Sequence, residues 1–75
     1  SEKAQKKRVR AVLKDRIGKA YRNYNQLCSW NSMEKEALEG LIEEYEAAGG
    51  ENSFVHSKVQ KEMYTWTLVE KEKEE

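Results

Sequence analysis

The stretch Lys61–Glu75, "KEMYTWTLVEKEKEE", decides the fold, because two periodicities compete in it. Tyr64, Trp66 and Leu68 alternate with Thr65 and Thr67 in the two-residue rhythm of a strand, and the residue types favour one. Val55, Val59, Met63, Trp66 and Val69 recur instead at the three- and four-residue steps of a helix face. A lone strand in an otherwise helical chain would leave the hydrogen-bonding groups of its edges unsatisfied. A helix is therefore expected over residues 53–72. Met63, Trp66 and Val69 then face inward, and Tyr64 and Leu68 lie on a neighbouring flank with Phe54 further up.

Upstream, two further helices are expected. Val9, Leu13, Ile17, Ala20, Tyr24 and Leu27, joined by Val12 and Cys28, mark one face of a long amphipathic helix over about residues 4–28. Lys7, Lys14, Lys19 and Arg22 fall opposite. Gly18 interrupts the pattern at a cost of about 1 kcal/mol relative to Ala; close approach of another helix and simple tolerance both account for it. "CSWNSMEKE" reads as a break and restart, with Asn31 and Glu34 spaced as a capping box. Met33, Ala37, Leu38, Leu41, Ile42, Tyr45 and Ala48 then pattern a helix over about 32–48. It ends at Gly49-Gly50, the residue type suited to a left-handed cap, and Asn52 or Ser53 caps the next helix.

Charge divides along the same segments. Residues 1–30 carry nine Lys/Arg against Glu2 and Asp15, a balance of +7, whereas residues 31–50 stand at −5 and residues 51–75 at −2. A basic helix followed by an acidic one favours an antiparallel helical hairpin, with the third helix packed across it. The fold expected is therefore all-α, a single-domain three-helix bundle over residues 1–75. A helical dimer or coiled-coil assembly is the alternative, since association buries apolar surface that a chain this short leaves exposed.

With 37% charged residues and a mean hydropathy of −1.05, the chain lies near the border of disorder, and its seven aromatic residues tip it towards folding. The absence of proline leaves long helices unobstructed. One cysteine closes no intramolecular disulfide, and no signal-like run or Asn-x-Ser/Thr site is present, which points to an intracellular protein, cytoplasmic or nuclear. No apolar run approaches the roughly 20 residues of a membrane span. A start without Met and an end inside a Glu/Lys run read as a piece of a larger protein, with "EKEKEE" solvated and frayed.

Little in the chain resembles catalytic machinery. Cys28 and His56 stand on different predicted helices, and a lone Cys on an apolar flank serves packing more often than nucleophilic chemistry. Glu43, Glu44 and Glu46 have the oxygens a hard cation prefers but not the spacing of an EF-hand loop, so they read as a solvated face. No cofactor or metal is called for, and the chain reads as no enzyme. Its surplus of apolar residues instead predicts a protein–protein interaction module of a scaffold, regulatory or assembly protein. Such a module would bind a partner helix through Trp30, Phe54, Tyr64, Trp66 and Leu68. Trp66 taken alone reads as core ahead of interface. The alternative is a nucleic-acid or acidic-phosphate-binding module using Lys6, Lys7, Arg8, Arg10 and Lys14, although a pI of about 6.6 is far from basic.

Overall fold

The computed structural model describes residues 2–70, and most of them are helical. Helix α1 spans Glu2–Leu27, strand β1 Ser29–Trp30 and helix α2 Ser32–Ala47. A π-helical segment, Phe54–Val59, leads into the short helix α3, Gln60–Met63, and strand β2 is Thr67–Leu68. The two strands pair in parallel, Ser29 with Thr67 and Trp30 with Leu68.

Each boundary has a local cause. Cys28 closes α1 in the left-handed region (φ 56°), its N–H still donating to the Tyr24 carbonyl at 2.7 Å. Asn31 opens α2 with a complete capping box: its Oδ1 accepts from the Glu34 N–H at 2.8 Å, and Glu34 Oε1 accepts from the Asn31 N–H at 2.9 Å. A cap of this kind contributes about 1 kcal/mol. Gly49, at φ 88°, ends α2 as the doublet predicted. Gly50 lies flat against the Tyr45 ring, where any Cβ would overlap it. Asn52 starts the next segment, accepting from the Phe54 N–H at 2.8 Å while its own N–H donates to the Tyr45 hydroxyl. Gly18 faces no neighbouring helix, since a Cβ there would meet only Arg22 Nη1 at 3.5 Å.

The third helix departs from the 53–72 expectation. It stops at Met63, where Thr65 turns back on it: the Thr65 hydroxyl and N–H both donate to the Glu62 carbonyl, at 2.6 and 2.9 Å. The chain then straightens into β2. The edges that a lone strand would leave unsatisfied find a partner in Ser29–Trp30, inside the segment that reads as a helix break. The Thr67 N–H donates to the Cys28 carbonyl at 3.0 Å and the Val69 N–H to the Trp30 carbonyl at 2.7 Å. The predicted end of this helix at residue 72 and the frayed terminus, residues 71–75, lie outside the described residues.

The core draws three residues from each long helix and from the third segment: Leu13, Ile17 and Tyr21; Leu38, Ile42 and Tyr45; Val55, Val59 and Met63. Trp30 and Trp66 close one end. Burying each of the large aliphatic side chains contributes roughly 1.5–3 kcal/mol. Tyr21 ties α1 to α3, its hydroxyl donating to Glu62 Oε1 at 2.7 Å. Lys58 donates to the other carboxylate oxygen at 3.1 Å. The two bonds hold Glu62 below its usual pKa, and the same Tyr21–Glu62 bond, reinforced by burial, raises Tyr21 above that of a free phenol.

Among the described residues no ion pair links α1 and α2. Arg10 instead donates from Nη1 to the Ala48 carbonyl at 2.9 Å, placing a cation at the C-terminal end of α2, where the helix dipole favours it.

Candidate interaction surface

Along α1 the stripe Val9–Leu13–Ile17 repeats every four residues, so all three side chains point the same way. Their surroundings differ because α1 is 26 residues long and α2 only 16. Ile17 is sealed and Leu13 is buried, but Val9 is 47% exposed and its neighbour Val12 50%. The helices differ by about 15 Å at 1.5 Å per residue, and the molecule is correspondingly elongated, 51 × 27 × 15 Å.

Two adjoining hollows of about 520 and 330 Å³ mark the place, sharing Val9, Leu13 and Glu44. Ala47 and Ala48 complete one wall, and Val12 extends the floor. Lys6, Arg8 and Arg16 stand on the rim. The result is a shallow apolar groove with a predominantly basic border.

The aromatic anchors expected from the sequence do not form one outward face. Trp66 is buried at 6% exposure and Trp30 at 4%, which answers the question of core or anchor in favour of core. The two indoles meet edge to face with centroids 4.8 Å apart, and the Trp66 N–H donates to Asn25 Oδ1 at 3.0 Å. Phe54 is half-buried, its ring perpendicular to that of Tyr21 with centroids 5.6 Å apart. Tyr64 and Leu68 remain exposed, on a turn and a strand instead of one helical flank. The Tyr64 hydroxyl donates to Glu39 Oε2 at 2.8 Å, and that bond foremost raises its pKa. Lys35 lies over its ring at 5.7 Å.

Of the five basic candidates, Arg10 is engaged at Ala48, whereas Lys6, Lys7, Arg8 and Lys14 are exposed. At about 100° per residue these positions spread around α1 instead of lining one side. A second groove, of about 520 Å³, runs between α2 and α3 under Glu36, Glu39, Glu43 and Glu46. Its floor, Ile42 and Met63, is sealed. No three acidic, His or Cys side chains among the described residues converge to hold a metal ion. Cys28 directs its thiol to the Asn25 carbonyl, and His56 Nδ1 lies 2.8 Å from Gln60 Oε1 and 3.4 Å from Glu46 Oε2, so no hydrogen bond couples the two. No described helix is long and apolar enough to cross a membrane.

The groove residues Val9, Val12 and Leu13 were visible in the apolar pattern, and the unequal helix lengths were visible beside it. Setting the two together reveals stripe without cover. Comparison with known proteins matches the chain to no family model, no curated protein and no solved structure.

Proposed function

We propose that this domain is a non-catalytic protein–protein interaction module of an intracellular scaffold, regulatory or assembly protein, and that it receives a helix from its partner. The observation that carries the reading is the apolar stripe of α1, which continues past the end of α2 into an open groove. The reading takes α1 and α2 as an antiparallel hairpin with arms of unequal length. Two contacts support that arrangement, Arg10 with the Ala48 carbonyl and the Tyr24 ring with the Trp30 ring 5.8 Å away. A helix laid along the exposed part of α1 would continue the packing that α2 begins, a common mode of helix recognition.

The test replaces Val9 and Val12 with Ser, which leaves charge and core untouched. Thermal unfolding should stay within a few degrees of wild type. A photo-crosslinker at position 12 should join a second protein in cells, and the same group at the exposed position 61, on α3 and away from the groove, should not. Loss of crosslinking on Val9→Ser supports the reading; equal crosslinking from both positions refutes it.

A phosphate-binding role draws on the exposure of Lys6, Lys7, Arg8 and Lys14. It requires an affinity for nucleic acid that falls by orders of magnitude with added salt and disappears when these four become Glu. It also requires indifference to the Val9 and Val12 substitutions.

A further inference from the structure

We infer that the segment received by the α1–α2 groove is an acidic amphipathic helix. The inference rests on the interaction reading above and adds the partner's chemistry. Val9 and Val12 form the exposed floor, and the small side chains of Ala47 and Ala48 leave room for a backbone to approach. Arg8 and Arg16 extend the border along α1 over two turns, and Lys6 stands on the other side of the Val9 stripe. Among the described residues Glu44 is the one acid lining either hollow, so apolar floor and basic rim together specify what fits. The occupant needs apolar residues at i, i+3, i+4 and i+7 with Asp or Glu flanking them.

Other occupants match less of the surface. A nucleic acid satisfies the cations and leaves Val9 and Val12 without partners. The same groove of a second copy brings a second basic rim against the first. The acidic face of a second copy's α2 supplies charge and one exposed apolar side chain, Met33 in its first turn, but Leu38 and Ile42 further along are sealed within their own core, so it lacks a continuous apolar row. Exposed ion pairs contribute little affinity each, so the apolar floor sets the strength of binding while the rim sets orientation and association rate.

The probes are two synthetic 14-residue helices with Leu at i, i+3, i+4 and i+7, one carrying Glu and the other Lys at the flanking positions. Each is titrated into the full chain while the valine methyl resonances are followed. The Glu peptide should shift Val9 and Val12, and the Lys peptide should bind at least about tenfold more weakly. V9S/V12S should weaken the Glu peptide at least about tenfold, and R8E/R16E should reverse the preference. Equal binding of both peptides in the groove overturns the acidic partner and leaves the interaction module standing. If neither peptide reaches the groove, while an oligonucleotide or anionic vesicle binds through Lys6, Lys7, Arg8 and Lys14, both readings fall. A dimer in light scattering that V9S/V12S dissociates makes the occupant a second copy and overturns the inference.

Discussion

The Tyr21 hydroxyl joins α1 to α3 through one carboxylate, and its contribution depends on both partners keeping their protonation states. Glu62 has a lowered pKa in the fold, chiefly from this bond and then from Lys58, so its contribution is present above the unfolded value near 4.5 and is lost as pH falls through the folded one. Tyr21 has a raised pKa, chiefly from Glu62, so its contribution is present below 10.0 and is lost as pH rises through the folded value. Tyr21→Phe should therefore lower the melting temperature most between about pH 5 and 10. The gap to wild type should close at either extreme, which thermal scans across pH would show; a gap independent of pH would mean that the hydroxyl's bond to the Glu62 carboxylate is not the source of the loss. The capping residues belong to this scale too. Asn31, Glu34 and Gly49 were legible in the sequence because each acts within a few residues of itself, on backbone geometry that is the same in every helix.

Among the elements, the strand pair was the least legible, and the reason is physical. Ser29–Trp30 and Thr67–Leu68 are two residues each, and the whole of α2 and α3 separates them, so neither carries a local sign of the other. Strand does form in this stretch, but only over Thr67–Leu68, after a turn and bend from Tyr64 to Trp66, and its partner was concealed in a segment whose Ser and Asn also suit a helix break. Trp66 satisfied both periodicities because its place is in the core under either. The charge pattern gave no guide to individual contacts for a related cause: basic and acidic helices can neighbour each other while their long side chains remain solvated. The pairing makes a sharp prediction for amide exchange. In a parallel pair alternate amides of one strand face its partner, so the Thr67 and Val69 N–H groups, both bonded to β1, should be protected. The Leu68 N–H between them points to the open edge and should exchange much faster. Equal rates at all three positions would contradict the observed register.

Across the whole molecule, one end of the helical body is closed by aromatic rings and the other is left open along α1. The closed end contains both tryptophans of the chain, beyond the N-terminal end of α2, while the groove lies at its C-terminal end. The protein therefore carries its own optical reporter at a single location. Indole emission should be that of a water-shielded environment in the native state and move to the red when the Trp30–Trp66 contact opens. It should barely respond to a helix arriving at Val9 and Val12. Intrinsic fluorescence thus becomes a control signal for groove variants, separating a ligand that binds from one that unfolds: a peptide that shifts the valine methyls with the emission unchanged has docked, and one that shifts both has breached the aromatic end.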